Sequence, residues 1–405
     1  MDDSTACLYS TRMNSSAPLP LATAIDAFVV ADGQLYLDCA AHAPPLRSVH
    51  TAAMAALHDG STHWFGAEWR ERVERVRTLA AQLFDRNADA LALVPSAAYG
   101  LSLAARNLPL QRGQAVLVLD GQFPSNLLPW QRRCAEAGAR LVFARRDAEH
   151  NWTAAVLRAL DEEPGIATLA LPQVHWRDGT LLDLAAIAQR ARALGARLVL
   201  DLSQSLGALP LDLESWQPDF VVAVGYKWLL GPYGLAYLWT APCWRDAGTP
   251  LEHGWMACDN DALWRIDGNG GFELLLGARR FDADGVCDLM RLAMSEAALT
   301  QVLAWGVADL ATALRARMRA FLGALREHGF GAWLPADEVA HFCALQPPVE
   351  DAEALTAALR TQCVVFTRHN GRFRIAPHLH VTIAQLEALA GRIADMASAT
   401  SRAGA

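Results

Sequence analysis

The chain has almost no lysine. Of its 35 Lys and Arg residues one is lysine, Lys227. Wherever a cation alone is needed, arginine supplies it, so the single primary amine stands apart. Arginine keeps its proton at any accessible pH, whereas a lysine amine can be desolvated, deprotonated and used as a nucleophile on a carbonyl. A basic run is missing too, and the net charge is −8, which argues against a protein that grips a nucleic-acid backbone. Charged residues make up only 19% of the chain against 53% hydrophobic, which provides for a sizeable core and excludes global disorder. The eight cysteines (Cys7, Cys39, Cys134, Cys243, Cys258, Cys287, Cys343, Cys363) include no C-x-x-C pair, so neither a metal site nor a disulfide framework is expected. No uncharged apolar run is long enough to span a membrane, and the first residues, with Asp2 and Asp3, lack the basic-then-apolar order of a signal peptide. The expectation is a soluble, cytoplasmic protein with no nucleic-acid and no membrane partner.

At 405 residues the chain exceeds one ordinary domain. Residues 1–20 read as a loose arm and 21–260 as a large domain. Residues 261–400 read as a linking helix and a small domain, which 21–45 are able to join, and the last eight residues as a frayed tail. Leu35-Tyr36-Leu37-Asp38 is a short strand running into a turn of small residues and prolines, Cys39 to Pro45. Over 46–85 the periodicity is helical, and Arg70, Arg72, Arg75 and Arg77 interleave with Glu68, Glu71 and Glu74 in the manner of a solvated face. From residue 90 on, apolar stretches of four to six residues alternate with helical ones. The strands are 90–94, 115–120, 140–144, 166–171, 197–201 and the FVVAV run at 220–224. That alternation predicts a mostly parallel, doubly wound sheet flanked by helices, with ligands outside the carboxyl ends of the strands. Residues 251–272 read as irregular, with a Gly268–Gly271 loop, and 287–328 as strongly helical. From 330 the order becomes that of a small α+β unit: strand 339–345, helix 351–360, strands 364–366 and 373–375, and a closing helix at 383–397.

Ser96, Phe123, His175, Asp201 and Lys227 all fall at or just beyond strand ends. Ser96-Ala97-Ala98 joins a strand to a helix, and the free amides and dipole of a helix start attract an anion. Lys227 follows an apolar strand and Gly225, and precedes a Gly231-Pro232-Tyr233-Gly234 turn, the setting of a shielded amine. A phosphate cradle, an aromatic platform, a carboxylate and a Schiff-base lysine are together what pyridoxal 5'-phosphate (PLP) requires. His42, His175, Trp176, Trp255 and His380 are candidates for the substrate pocket, each also readable as a loop or core residue.

These residues give the chain its resemblance to the class V aminotransferases. These are fold-type I PLP enzymes that include cysteine desulfurases, kynureninases and isopenicillin-N-epimerase-like proteins. Asp201-Leu202-Ser203-Gln204 resembles the Asp-x-(Ala/Ser)-Gln segment. It implies Asp201 on the pyridine nitrogen, Ser203 beside it and Gln204 near the ring hydroxyl. Gly225-Tyr226-Lys227 resembles the Gly-(His/Tyr)-Lys segment, implying Lys227 as Schiff base and Tyr226 on the phosphate with Ser96, Ala97 and Ala98. Phe123 stands where the family stacks a ring on the cofactor. Arg374 matches the arginine that binds the substrate carboxylate, and Gly254-Trp255 the stretch reaching the phosphate from a second subunit, so a homodimer is implied. The family's fold is a large domain with a mostly parallel seven-stranded sheet, plus a small α+β C-terminal domain. The implied function is PLP chemistry at Cα or Cβ of a small amino acid, as a transaminase or amino-acid lyase. An epimerase and a non-catalytic PLP-fold binding protein are the alternatives. The nearest branch is the epimerase/kynureninase-like one. Desulfurases place a nucleophilic cysteine on a loop shortly before the carboxylate arginine. The segment here is short and its Cys363 reads as a small core residue leading into a strand, which disfavours that reaction.

Overall fold

The computed structural model describes residues 21, 24–59, 67–146, 151–258 and 273–403. The arm at 1–20 and the Gly268–Gly271 loop lie outside them. Twelve strands and twelve α-helices are placed among the described residues. A seven-stranded sheet dominates. In chain order its strands are β2 (Leu91–Val94), β3 (Ala115–Leu119), β4 (Arg140–Ala144), β5 (Ile166–Pro172), β6 (Arg197–Asp201), β7 (Phe220–Val224) and β8 (Ala236–Thr240). In space the order is β2-β8-β7-β6-β5-β3-β4. Strands β3 to β7 run parallel, while β8 runs antiparallel between β7 and β2. The α/β reading with a mostly parallel seven-stranded sheet therefore stands. The antiparallel β8 was not separated in the sequence from the loop before it.

The strands are apolar on both faces because helices cover both, as parallel sheets require. Alternate residues point opposite ways. Val116, Val118, Val199 and Val222 pack under α3 (Ala97–Asn107) and α4 (Leu128–Ala137). Leu117, Leu119, Leu198 and Leu200 pack against α5 (Trp152–Glu162) and α6 (Leu184–Ala193). Two short helices, α7 (Leu213–Trp216) and α8 (Pro242–Arg245), complete this region.

A second core forms elsewhere. It takes Met318, Phe321, Phe373, Ile375, Leu386 and Leu389 together with Leu35 and Leu37. Its strands are β9 (Cys343–Leu345), β10 (Val364–Val365), β11 (Thr367–His369) and β12 (Arg372–Ile375). Strand β1 (Leu35–Tyr36) pairs in parallel with β10, and Asp38 bridges to Ala376. Asn370 and Gly371, both with positive φ, make the two-residue turn between β11 and β12 that an Asn-Gly pair favours. Helices α9 (Leu289–Trp305) and α10 (Val307–Glu327) bend by 77° across Gly306, whose φ of 75° a side chain would resist. Beyond them come α11 (Val349–Thr361) and α12 (Ile383–Ala403). Among the described residues no single helix is long and apolar enough to cross a membrane.

Four expectations need correction. Arg77 is not on a solvated face. It lies on α2 (Ala67–Ala81), 1% exposed, in a bidentate pair with Asp282. The charge alternation misled because one position of the helix turns inward. Cys363 leads into β10 as expected, but it is exposed, in a turn with φ 58°, and not in the core. The strand expected at 339–345 forms only over Cys343–Leu345, and the closing helix runs on to Ala403 where a frayed tail was expected.

Candidate active site

The carboxyl ends of β5, β6 and β7 lie side by side, with Pro172 opposite Asp201 and Asp201 opposite Val222. Beyond them opens a cavity of about 240 Å³. Lys227 lies three residues past the end of β7, held by a tight loop. The Gly225 amide donates to the Leu235 carbonyl and the Gly231 amide to the Gly225 carbonyl. A Cβ on Gly225 would come within 2.9 Å of the Leu235 oxygen, so a glycine is needed just there. The lysine is 8% exposed, and its Nζ sits 5.5 Å from the centre of the Phe123 ring and 5.9 Å from that of Tyr226.

Burial disfavours the charged form of an amine. It brings the Lys227 pKa down to about 8, with Arg374 adding to the effect and the charges of Asp201 and Asp38 opposing it. Burial also raises the Asp201 carboxyl, which the hydrogen bonds of Ser203 and the charge of Lys227 only partly offset. The Ser203 amide donates to Asp201 Oδ1 at 3.0 Å. No ion pair joins Lys227 and Asp201, so the amine is left available for covalent work.

Ten expected residues line this cavity: Lys227, Asp201, Phe123, Ser96, Ala97, Ser203, Gln204, Tyr226, His175 and Trp176. Ser96 caps α3, its Oγ accepting from the Tyr99 amide, so the Ala97 and Ala98 amides remain among the first-turn donors without a helical partner. Ala98 itself falls outside the lining. Gln204 donates to the Ala40 carbonyl and accepts from the Trp228 indole, so its amide is engaged at both ends. Tyr226 meets Tyr233 at a tilt, ring centres 4.5 Å apart, and its phenol is pushed up to about 12, chiefly by burial. Trp176 is fixed by a bond from its indole to the Gly121 carbonyl and meets Phe123 edge-on at 5.2 Å.

The remaining three lie outside the lining. Arg374 is 4% exposed and ion-paired with Asp38 at 3.0 Å, its other terminal nitrogen donating to the Trp176 carbonyl. His42 is exposed, and its ring stacks on Tyr226. Trp255 stacks on Trp69 within the same chain. His380, also considered, is buried against Phe28, with Nε2 at the Tyr36 carbonyl.

Sequence reasoning missed Asp38, Asp178, Asn126 and Tyr233. Asp178 had a signal, standing three residues after His175. Asp38 had none, because its partner Arg374 is 336 residues away.

PLP fits this cavity on the structure's own terms. An uncommitted amine, a buried carboxylate lacking a cation, and a helix start with free amides face one space. Phe123 keeps 40% of its surface open, a platform for a planar ring. Buried Asn126 Nδ2 has no hydrogen-bond partner in the protein, as expected of an atom awaiting an occupant.

The sequence model of the aminotransferase class-V family matches residues 35–259, more than half of the chain and the whole of this rim. The chain belongs to the aminotransferase class-V family. PLP is this family's cofactor. Similar proteins include the uncharacterised aminotransferase YcbU of Bacillus subtilis, 28% identical over 207 residues, which are 47% of this chain and 51% of that one. A cysteine desulfurase of Enterobacter is 30% identical over 230 residues, 54% of this chain and 56% of the other. The chain thus spans about half the length of these two relatives. A Klebsiella pneumoniae cysteine desulfurase is 29% identical over 302 residues, 72% of each chain. Among solved structures, the cystine C-S lyase C-DES in complex with cysteine persulfide superposes with a TM-score of 0.78 at 19% identity, over 90% of this chain and 98% of that one. An apo cysteine desulfurase from Thermococcus onnurineus gives 0.76 at 18% identity, over 90% and 94%. At such identities these two establish the fold, PLP fold-type I.

Proposed function

We propose that this chain is a PLP-dependent enzyme acting at Cα or Cβ of a small amino acid, as a transaminase or an amino-acid lyase. The observation that carries the reading is Lys227, the chain's one lysine, buried beside Asp201 and Phe123 at the strand ends. Bound PLP supplies an aldehyde for amines and a protonated ring that accepts electrons from a carbanion at substrate Cα. Lys227 holds the cofactor, and then takes and returns the proton at Cα, a task suited to an amine with a pKa of about 8. Asp201 keeps the ring nitrogen protonated, and that cation in turn relieves the buried carboxylate. Phe123 covers one ring face and excludes water. Ser96, the amides of Ala97 and Ala98, and Tyr226 hold the phosphate, while Ser203 and Gln204 border the ring. Arg374 binds the substrate carboxylate with whatever donors its bond to Asp38 leaves. His42 and Trp176 border the substrate entrance, and Trp255 serves the phosphate of a second copy in a cytoplasmic homodimer. The active unit comprises a PLP-binding domain at 21–260 and a smaller domain at 261–400 that residues 21–45 join.

Some relatives carry the name cysteine desulfurase, and that reaction is the one we disfavour here. No cysteine lines the cavity among the described residues. Cys363 stands at the far end of β10 from Thr367, which bonds to Asp38, and only the two residues Asn370-Gly371, neither a cysteine, join β11 to β12. An epimerase-like reaction would use the same groups.

The test is a visible absorbance spectrum of purified protein, then borohydride reduction and peptide mapping. A band abolished by borohydride, with a pyridoxyl group on the Lys227 peptide, is the expected result. A protein that stays colourless with added PLP would overturn the reading and favour a non-catalytic binding protein.

A further inference from the structure

His175 has features that cofactor binding does not use. It follows β5 by three residues, is 2% exposed and lines the cavity. Nδ1 lies 3.0 Å from Asp178 Oδ1. The same carboxylate oxygen accepts from the Thr180 hydroxyl at 2.7 Å and the Thr180 amide at 3.2 Å, while Oδ2 accepts from Arg146 at 3.1 Å. Arg146 is itself paired with Asp337 and lies over Trp152, on which the His175 ring packs at 4.8 Å. Burial alone would raise the Asp178 carboxyl, but its hydrogen bonds with His175 and Thr180 and the positive charge beside it, from His175 when protonated and from Arg146, hold it well below the usual range. An ionised carboxylate only accepts hydrogen bonds. Nδ1 therefore carries the proton, and in the neutral ring Nε2 presents a lone pair.

That lone pair has no partner in the protein although the atom is buried. The turn that holds it is rigid. The Gly179 amide donates to the His175 carbonyl and the His175 amide to the Thr180 carbonyl. A Cβ at Gly179, where φ is 78°, would lie 2.0 Å from the Phe342 oxygen. A fixed, buried, unsatisfied acceptor costs free energy that a donor on a ligand regains. The only cationic side chain lining the cavity among the described residues is Lys227, which the cofactor occupies.

We propose that His175 is the residue that selects the substrate side chain, its Nε2 accepting a hydrogen bond from a hydroxyl, amine or amide donor and turning away side-chain carboxylates. This rests on the reading of the cavity as a PLP and amino-acid site. It adds a substrate class: small amino acids with a neutral or cationic donor on the side chain.

The test uses the full chain loaded with PLP, its loading checked by the borohydride-sensitive band. L-asparagine, L-aspartate and L-leucine, three side chains of similar shape, are titrated against that band. Asparagine is expected to bind about 10-fold tighter than the other two. In His175→Phe its affinity should fall to that of leucine, while His175→Gln, which restores an acceptor oxygen, should keep part of the preference. Nitrogen-15 NMR of labelled histidine, read before and after PLP and then asparagine, should show a bare Nε2 whose resonance moves with the amino acid. Aspartate binding as well as asparagine would overturn the proposal, as would an unchanged ratio in His175→Phe, or an Nε2 signal that responds to PLP and not to the amino acid. A loaded protein indifferent to all three probes overturns this inference alone. One that takes up no PLP overturns the cofactor reading as well.

Discussion

Two of the acid–base pairs buried among the described residues differ in how fully their hydrogen bonds are met. At Arg77 and Asp282 every polar group is answered. The guanidinium bonds both carboxylate oxygens, Glu74 and the Leu91 carbonyl, and Asp282 also accepts from the Leu93 amide. Burial alone would lower the arginine pKa, but the charge and hydrogen bonds of Asp282 raise it instead. At Lys227 and Asp201 there is proximity without pairing, and burial takes the lysine down and the aspartate up. A satisfied pair fixes one packing of the chain. An unsatisfied pair keeps an amine reactive, and perturbed groups of this kind mark working sites.

The comparison breaks most sharply at Lys227. Lys227→Arg keeps a cation and loses the nucleophile, so turnover should fall by at least ~10³-fold and the borohydride adduct should vanish, with stability little changed. At the other pair the effects reverse. Arg77→Met should cost about 3–5 kcal/mol in urea unfolding, because it strands a buried carboxylate. Arg77→Met with Asp282→Leu should recover most of that loss, and a double variant as unstable as the single would mean that packing, not charge, is at stake. Asp201→Asn should retain the PLP adduct yet lose on the order of 10²-fold in turnover, measured at saturating substrate.

A pH series sharpens the contrast. The reacting form is the free amine, and the folded-state pKa is about 8. The rate at which apoprotein captures PLP should therefore climb about tenfold per pH unit below that value and level off above it. An ordinary lysine would keep climbing towards about 10.4. The smallest effect belongs to Cys363→Ser. At an exposed turn it should shift stability by less than about 0.5 kcal/mol and leave turnover unchanged. Loss of sulfur release from cysteine in that variant would reinstate the desulfurase reading.

Most of the sheet was legible in the sequence, because strands buried on both faces must be apolar throughout and helices between them must be amphipathic. Strand β8 was hidden because the Lys227 loop, itself apolar, runs straight into it. Arg77 was hidden because Arg70 and Arg75, on the same helix, are exposed, and only Asp282 distinguishes it. Ten of the expected site residues share one cavity because the carboxyl ends of adjacent parallel strands converge by topology.

The sequence alone singled out Lys227, since one amine among arginines is a matter of composition. It also determined the α/β class, since periodicity is local. The tertiary structure decided what each side chain has to spare. It committed Arg374 to Asp38 across most of the chain, engaged Gln204 at both ends, left Lys227 without an ion-pair partner, and gave His175 a proton partner on one nitrogen and none on the other. Hydrogen-bond satisfaction is a property of neighbours in space, and residue spacing along the chain does not encode it.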